Sequence, residues 1–114
     1  MSAPKGFPQA VRDIVLERDN GRCAWCGLPL DDSAQLHHRR PRGRGGSRLP
    51  WVNLPGNGVF LHARCHTVVE SQRAGSIEDG FLVSMNGVAV SSEVEIVHAV
   101  HGRCLLSDDG TVTR

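Results

Sequence analysis

QLHHRRPRGRGGSRLPWVNLPGNGVFLHARCHTVVE, residues Gln35 to Glu70, holds most of the chemistry of this chain. It opens with a histidine pair, His37 and His38, and runs through an arginine- and glycine-rich segment to Asn57. A short apolar run, Val59 to Leu61, follows, and then Cys65 and His66 open a helical pattern. Gln35 to His38 predicts a short strand. Residues 39–58, rich in Arg, Gly, Pro and Asn, predict a long loop. A loop of ~20 residues inside a compact domain is usually functional. Val59 to Leu61 predicts a second strand, and His62 to Arg73 a helix, with Val68, Val69 and Ala74 available for packing and Gly75 beyond its end.

Just upstream stands Cys23-Ala-Trp-Cys26-Gly27. Two cysteines separated by two residues let a tight turn present both sulfurs to one tetrahedral ion, and a small residue after the second eases the turn. His62 and Cys65 repeat the spacing. Cys23, Cys26, His62 and Cys65 therefore read as a closed structural zinc site tying two halves of a small domain together. A redox role for Cys23 and Cys26 is the competing reading, but no βαβ pattern surrounds them.

Together, the histidine pair, Asn57, and His66 nine residues after it resemble the HNH family of metal-dependent endonucleases, whose site is a ββα-metal (His-Me) finger. The resemblance covers residues 22–73, about half the chain. The family often has cysteine at all four zinc positions, and here His62 stands at the third. The resemblance implies that His37 and His66 hold a catalytic divalent ion, that His38 is the general base, and that Asn57 fixes the long loop and so the base. Glu70, one helical turn after His66, is a candidate third ligand, because residues four apart on a helix share a face. The ion could be Mg²⁺, Mn²⁺, Ni²⁺ or Zn²⁺, since affinity order alone does not choose.

The chemistry suits these residue types. A neutral imidazole, with an unperturbed pKa of about 6.5, can take a proton from water at physiological pH. A divalent ion can polarise a phosphate and stabilise the departing oxygen, provided that it has few protein ligands and keeps open positions. One tension is geometric: adjacent residues in a strand point to opposite faces, so His37 and His38 cannot aim at one point. The sequence therefore places the site at a strand end, with the ion on one side and the scissile phosphate on the other.

Net charge is +1 but unevenly placed: residues 1–50 carry nine Lys/Arg against five Asp/Glu, and residues 51–114 four against seven. Arg39, Arg40, Arg42, Arg44 and Arg48 concentrate the excess beside the histidine pair, where they read as phosphate contacts along DNA. A solvated loop is the plainer reading of the same arginines. No base-reading helix is identifiable.

Outward from this centre, residues 1–7 read as a loose tail. Pro8 to Asp19 reads as an amphipathic helix with Val11, Ile14, Val15 and Arg18 at helical spacing, packing on the finger. Trp25 and Trp51 read as packing on the knuckle and loop. After residue 80, FLVSM, VEIVHAV and RCLLS are β-rich runs that predict two or three strands. His98, His101 and Cys104 there read as packing or surface residues.

At 114 residues the chain is read as one α+β domain: helix 8–19, finger core 22–73 and a β-hairpin-like extension 80–114. With two Trp, three Phe and no Tyr, a metal staple is expected. No secretory pattern or apolar run of spanning length appears, so a cytoplasmic protein without a membrane partner is expected. The resemblance implies a DNA endonuclease leaving a 5′ phosphate and a 3′ hydroxyl. The small form resembles HNH proteins carried by bacteriophages, some acting with the terminase in genome packaging, which would place it in the host cytoplasm beside that partner. The rival from another class is a non-catalytic zinc-stapled nucleic-acid-binding module or adaptor.

Overall fold

Helix α1 runs Gln9–Arg18. Pro8, with its preset φ, leads in, and its carbonyl accepts from the N–H groups of Val11 and Arg12, both at 3.1 Å. The helix stops because Asn20 and Gly21 both adopt positive φ, 58° and 66°. Gly21 then donates to the Leu16 carbonyl, closing the last turn. The computed structural model describes residues 6–41, 49–84 and 88–114.

A tight turn follows at Cys23–Gly27, closed by Gly27 N–H to Cys23 O at 2.8 Å and Cys23 N–H to Leu28 O at 2.9 Å. Strand β1, Gln35–His38, pairs antiparallel with β2, Gly58–Leu61, in the register Gln35–Leu61, Leu36–Phe60, His37–Val59 and His38–Gly58. One turn of 3-10 helix, Pro55–Asn57, leads into β2.

All four β2 residues are buried, because the strand is pressed between two apolar clusters. Val59 and Leu61 join Cys23, Cys65, Val69, Phe81, Ile96 and Leu106 in the main core. Phe60 joins Phe7, Val11 and Val15 of the N-terminal segment. A strand buried on both faces reads as a continuous apolar run instead of an alternation.

Three expectations are corrected here. The helix expected over 62–73 is two: α2, Ala63–Ser71, and α3, Arg73–Glu78. Gln72 breaks it, with ψ at 62°, and the turn buries Ser76, whose hydroxyl donates to Val69 O at 2.8 Å. Gly75 therefore lies inside α3. Second, Phe81–Val83 is buried but forms no strand, since its N–H groups go to Ser76 O and Arg39 O. Third, Phe7 is packed, at 9 % exposure, and not part of a loose tail; residues 1–5 lie outside the described residues.

The C-terminal part forms a three-stranded antiparallel sheet: β3, Ile96–His98; β4, Gly102–Leu106; β5, Val112–Thr113, in the order β3-β4-β5. Helices and two small sheets thus make an α+β fold, and no helix among the described residues is long and apolar enough to cross a membrane.

Candidate functional site

The knuckle turn and the start of α2 bring Cys23, Cys26, His62 and Cys65 together, with one ligand atom from each within 4.8 Å of the others. Cys23, His62 and Cys65 are buried. His62 Nε2 lies 2.8 Å from the Pro29 carbonyl, which accepts its hydrogen, so Nδ1 is the nitrogen with the free lone pair. That nitrogen faces Cys26 Sγ at 3.3 Å. A carbonyl holding the outer N–H of an imidazole is the usual support of a ligating histidine. Burial pushes the Cys65 thiol up, and the neighbouring Cys23 and Cys26 sulfurs push it further. Burial alone would raise Cys23 too, but the N–H groups of Cys26, His62 and Trp25 turn toward its sulfur and bring it down. These residues can hold a metal such as zinc in a closed four-ligand site.

A second group forms where β1 passes α2. His37 Nδ1, His66 Nε2 and a Glu70 carboxylate oxygen lie within 4.8 Å of one another. His37 is on the face of β1 that also carries its cross-strand partner Val59, turned toward the main core. Its Nε2 lies 2.7 Å from the Phe81 carbonyl, which can only accept. His66 Nδ1 lies 2.5 Å from Gln35 Oε1, again an acceptor. Both outer nitrogens therefore carry the hydrogens, and both inner nitrogens present lone pairs.

Those inner nitrogens are 3.1 Å apart, and Glu70 Oε1 is 3.1 Å from His66 Nε2. Burial pulls His37 down to about 4, against the opposing effect of the Phe81 carbonyl, so the pair is not bridged by a proton on His37 at neutral pH. Two lone pairs and a carboxylate facing one point form a donor set that a cation would complete. Glu70 is 53 % exposed at its side chain, so this group opens to solvent on one side.

His38 points to the opposite face of β1, as strand alternation requires. Its ring stacks on Phe7, with centroids 4.1 Å apart and planes 20° from parallel, and its Nε2 lies 2.7 Å from Asn53 Oδ1. Asn57 is fully buried and bridges the chain on either side of the loop. Its Oδ1 accepts from Arg40 N–H at 2.7 Å and from the Ser91 hydroxyl at 2.6 Å. Its Nδ2 donates to Arg40 O at 3.1 Å and Val52 O at 2.8 Å. Asn57 therefore fastens the residue two beyond His38 to the turn that carries Asn53.

The arginines divide. Arg39, expected to meet phosphate, is 0 % exposed. Its guanidinium donates to Gly80 O, Gly56 O, Ser91 O and Val94 O at 2.7–2.9 Å. Burial pulls it down only to about 10, so it remains a cation, solvated by backbone dipoles and inaccessible to DNA. Arg40 is partly buried, with Nη1 3.1 Å from Ser84 O. Arg42, Arg44 and Arg48 lie outside the described residues.

A third cluster was not foreseen as such. Asp19, His98 and His101 meet between α1 and the β3–β4 hairpin. Arg18 spans both Asp19 carboxylate oxygens at 2.7 and 2.8 Å, and also donates to Pro55 O and Gly58 O. His98 Nδ1 accepts from Val100 N–H, so the ring hydrogen sits on Nε2, 3.1 Å from Asp19 Oδ2. That contact has ion-pair distance without hydrogen-bond alignment. His101 Nε2 lies 3.0 Å from both Arg18 O and Asp19 Oδ1, two acceptors. Both inward nitrogens thus carry hydrogen, the reverse of the arrangement at His37 and His66, and the cluster is an ion-paired knot and not a ligand set. Burial alone would raise Asp19, but Arg18 and His98 outweigh it and hold the carboxyl well below the usual range.

The sequence reading gave no role to Gln35, Asn53, Phe7 or the Phe81 carbonyl, because their partners at the site lie far away along the chain. Comparison with protein-family models, with curated proteins and with solved structures finds no match to this chain.

Proposed function

We propose that the protein is a metal-dependent DNA endonuclease of the HNH type, built on a ββα-metal finger formed by β1, β2 and α2. One observation carries this reading: His37 Nδ1 and His66 Nε2 face each other at 3.1 Å with lone pairs fixed inward by the Phe81 carbonyl and Gln35, beside Glu70. The group is also open where the Cys/His cluster is closed, which fits a site that must admit a substrate.

A divalent ion bound at this group would polarise the scissile phosphate and stabilise the departing 3′ oxygen. The chain's own residues do the rest. His38, whose Nε2 hydrogen is held by Asn53 Oδ1, keeps a lone pair at Nδ1 to take a proton from water. Asn57 holds the loop ends that set His38 and Asn53 against each other. Arg40, with Arg42, Arg44 and Arg48 close to it in sequence, would supply basic contacts to the phosphate backbone.

The test is cleavage of supercoiled plasmid by the zinc-loaded protein across Mg²⁺, Mn²⁺, Ni²⁺ and Zn²⁺, with His38→Ala as control. Ion-dependent cutting with a 5′ phosphate product, lost in the variant, is expected. DNA binding without cutting under any ion would leave the non-catalytic module in its place.

A further inference from the structure

His38 is held from two directions by residues outside the HNH pattern. Strand alternation turns it toward the N-terminal cluster and away from His37. There it meets Phe7, whose ring lies 4.1 Å from it in a near-parallel stack. Phe7 can reach this position because His38's cross-strand partner is Gly58: a Cβ on Gly58 would stand 3.0 Å from the Phe7 ring. Phe7 is in turn held by Val11, Val15 and Phe60.

The ring edge is held by Asn53, whose Oδ1 lies 2.7 Å from His38 Nε2. A carbonyl oxygen only accepts, so it selects the tautomer with hydrogen on Nε2 and the lone pair on Nδ1. Asn53 itself sits on the turn that Asn57 ties down through Val52 O at 2.8 Å. An aromatic face removes the freedom to tilt, and an acceptor at one edge removes the freedom to flip.

We propose that Phe7 and Asn53 are positioning residues that lock His38 in a single orientation and tautomer, with Nδ1 as its proton-accepting atom. The proposal rests on His38 being the base of the nuclease reading, but the lock itself can be observed without any cleavage. The N-terminal segment is thereby part of the site.

The test uses the full, zinc-loaded chain with Phe7→Leu, Asn53→Leu and Asn53→Asp; the last keeps an acceptor oxygen. Thermal midpoint and zinc content confirm folding. Nitrogen-15 spectra of the histidine rings at pH 8 should show His38 as the Nε2–H tautomer in the wild type and in Asn53→Asp. Asn53→Leu should give mixed tautomers, and Phe7→Leu should shift the ring resonances by loss of the stacked ring's current and allow ring motion. In plasmid cleavage at saturating ion, Asn53→Leu and Phe7→Leu should each lower kcat roughly 10- to 100-fold while KM for DNA stays within about twofold, and Asn53→Asp should retain most of kcat.

A His38 spectrum in Asn53→Leu identical to the wild type overturns the lock. An altered spectrum with unchanged kcat overturns its role in the reaction. If the wild type does not cut with any ion, the nuclease reading and the role in cleavage fall together, and the spectra alone decide whether the lock exists.

Discussion

The Cys23/Cys26/His62/Cys65 cluster and the His37/His66/Glu70 group both draw on the same short helix, α2, through Cys65 in one and His66 and Glu70 in the other, yet differ in every property that matters to a metal. The first has four donors, three of them sulfur, and three of its residues are buried. The second has three donors, none of them sulfur, and one carboxylate in solvent. In both, a carbonyl oxygen holds the outer hydrogen of an imidazole: Pro29 for His62, Phe81 for His37. In the reading proposed above, one supporting device would serve two ends, a staple where the donor set is closed and an exchangeable site where it is open. The Asp19 knot, with hydrogens pointing inward, shows what the same residue types do when they are arranged to bond each other.

The sharpest break in this comparison comes from the closed cluster. Cys65→Ser or Cys23→Ser should abolish the cooperative unfolding transition, because structural zinc binding is coupled to folding and accounts for an apparent ~10–16 kcal/mol in small zinc domains. Elemental analysis should give about one tightly held zinc per wild-type chain and none in the variants. A folded, zinc-free wild type would remove the staple.

The knot should come next. Asp19→Ala leaves Arg18 buried without its carboxylate, which should cost about 3–5 kcal/mol in denaturant unfolding. Asp19 and the buried histidines also differ in pH response. The folded pKa of His37 lies at about 4 against an ordinary 6.5, so the unfolded chain takes up the proton first. Its contribution is intact above pH 6.5 and is lost as pH falls toward 4; His98, also lowered by burial, acts in the same sense. Asp19 contributes fully above its unfolded value and is lost only in stronger acid. From His37 alone the loss by pH 5 should be about 2 kcal/mol, and His37→Gln should flatten the curve between pH 6.5 and 5.

The open group should respond in affinity and hardly in stability. Glu70→Gln should raise the Mg²⁺ or Mn²⁺ concentration for half-maximal cleavage several-fold and change stability by less than about 0.5 kcal/mol, as exposed substitutions do. Glu70→His should shift preference toward Ni²⁺ or Zn²⁺. Unaltered titrations in Glu70→Ala would leave His37 and His66 as the only protein donors.

Much of this arrangement was legible because it is local or periodic. The spacing of Cys23 with Cys26, and of His62 with Cys65, depends only on tight backbone turns. The strand 35–38, the apolar run after Asn57 and the start of α2 follow from short-range pattern. The rest depends on distant backbone groups that no pattern announces. Arg39 reads as one more cation of a basic loop, and only the carbonyls of Gly56, Gly80, Ser91 and Val94 reveal it as internal. Gln72 breaks the helix because Ser76 finds a buried acceptor at Val69, seven residues earlier. Phe81–Val83 is apolar enough for a strand but spends its N–H groups on a helix end and on Arg39. Asn53 and Phe7 gain meaning only once His38 is seen to point away from His37.

The central claim is that the chain has two metal sites of opposite kind, one permanent and one exchangeable. Titrating Mn²⁺ into the zinc-loaded protein, with pulsed electron paramagnetic resonance to detect coupled imidazole nitrogens, tests it most directly. The account predicts one Mn²⁺ bound per chain with histidine nitrogen coupling, lost in His66→Ala, while zinc stays at one per chain throughout. Absence of Mn²⁺ binding, binding untouched by His66→Ala, or Mn²⁺ entering only as zinc leaves would contradict it.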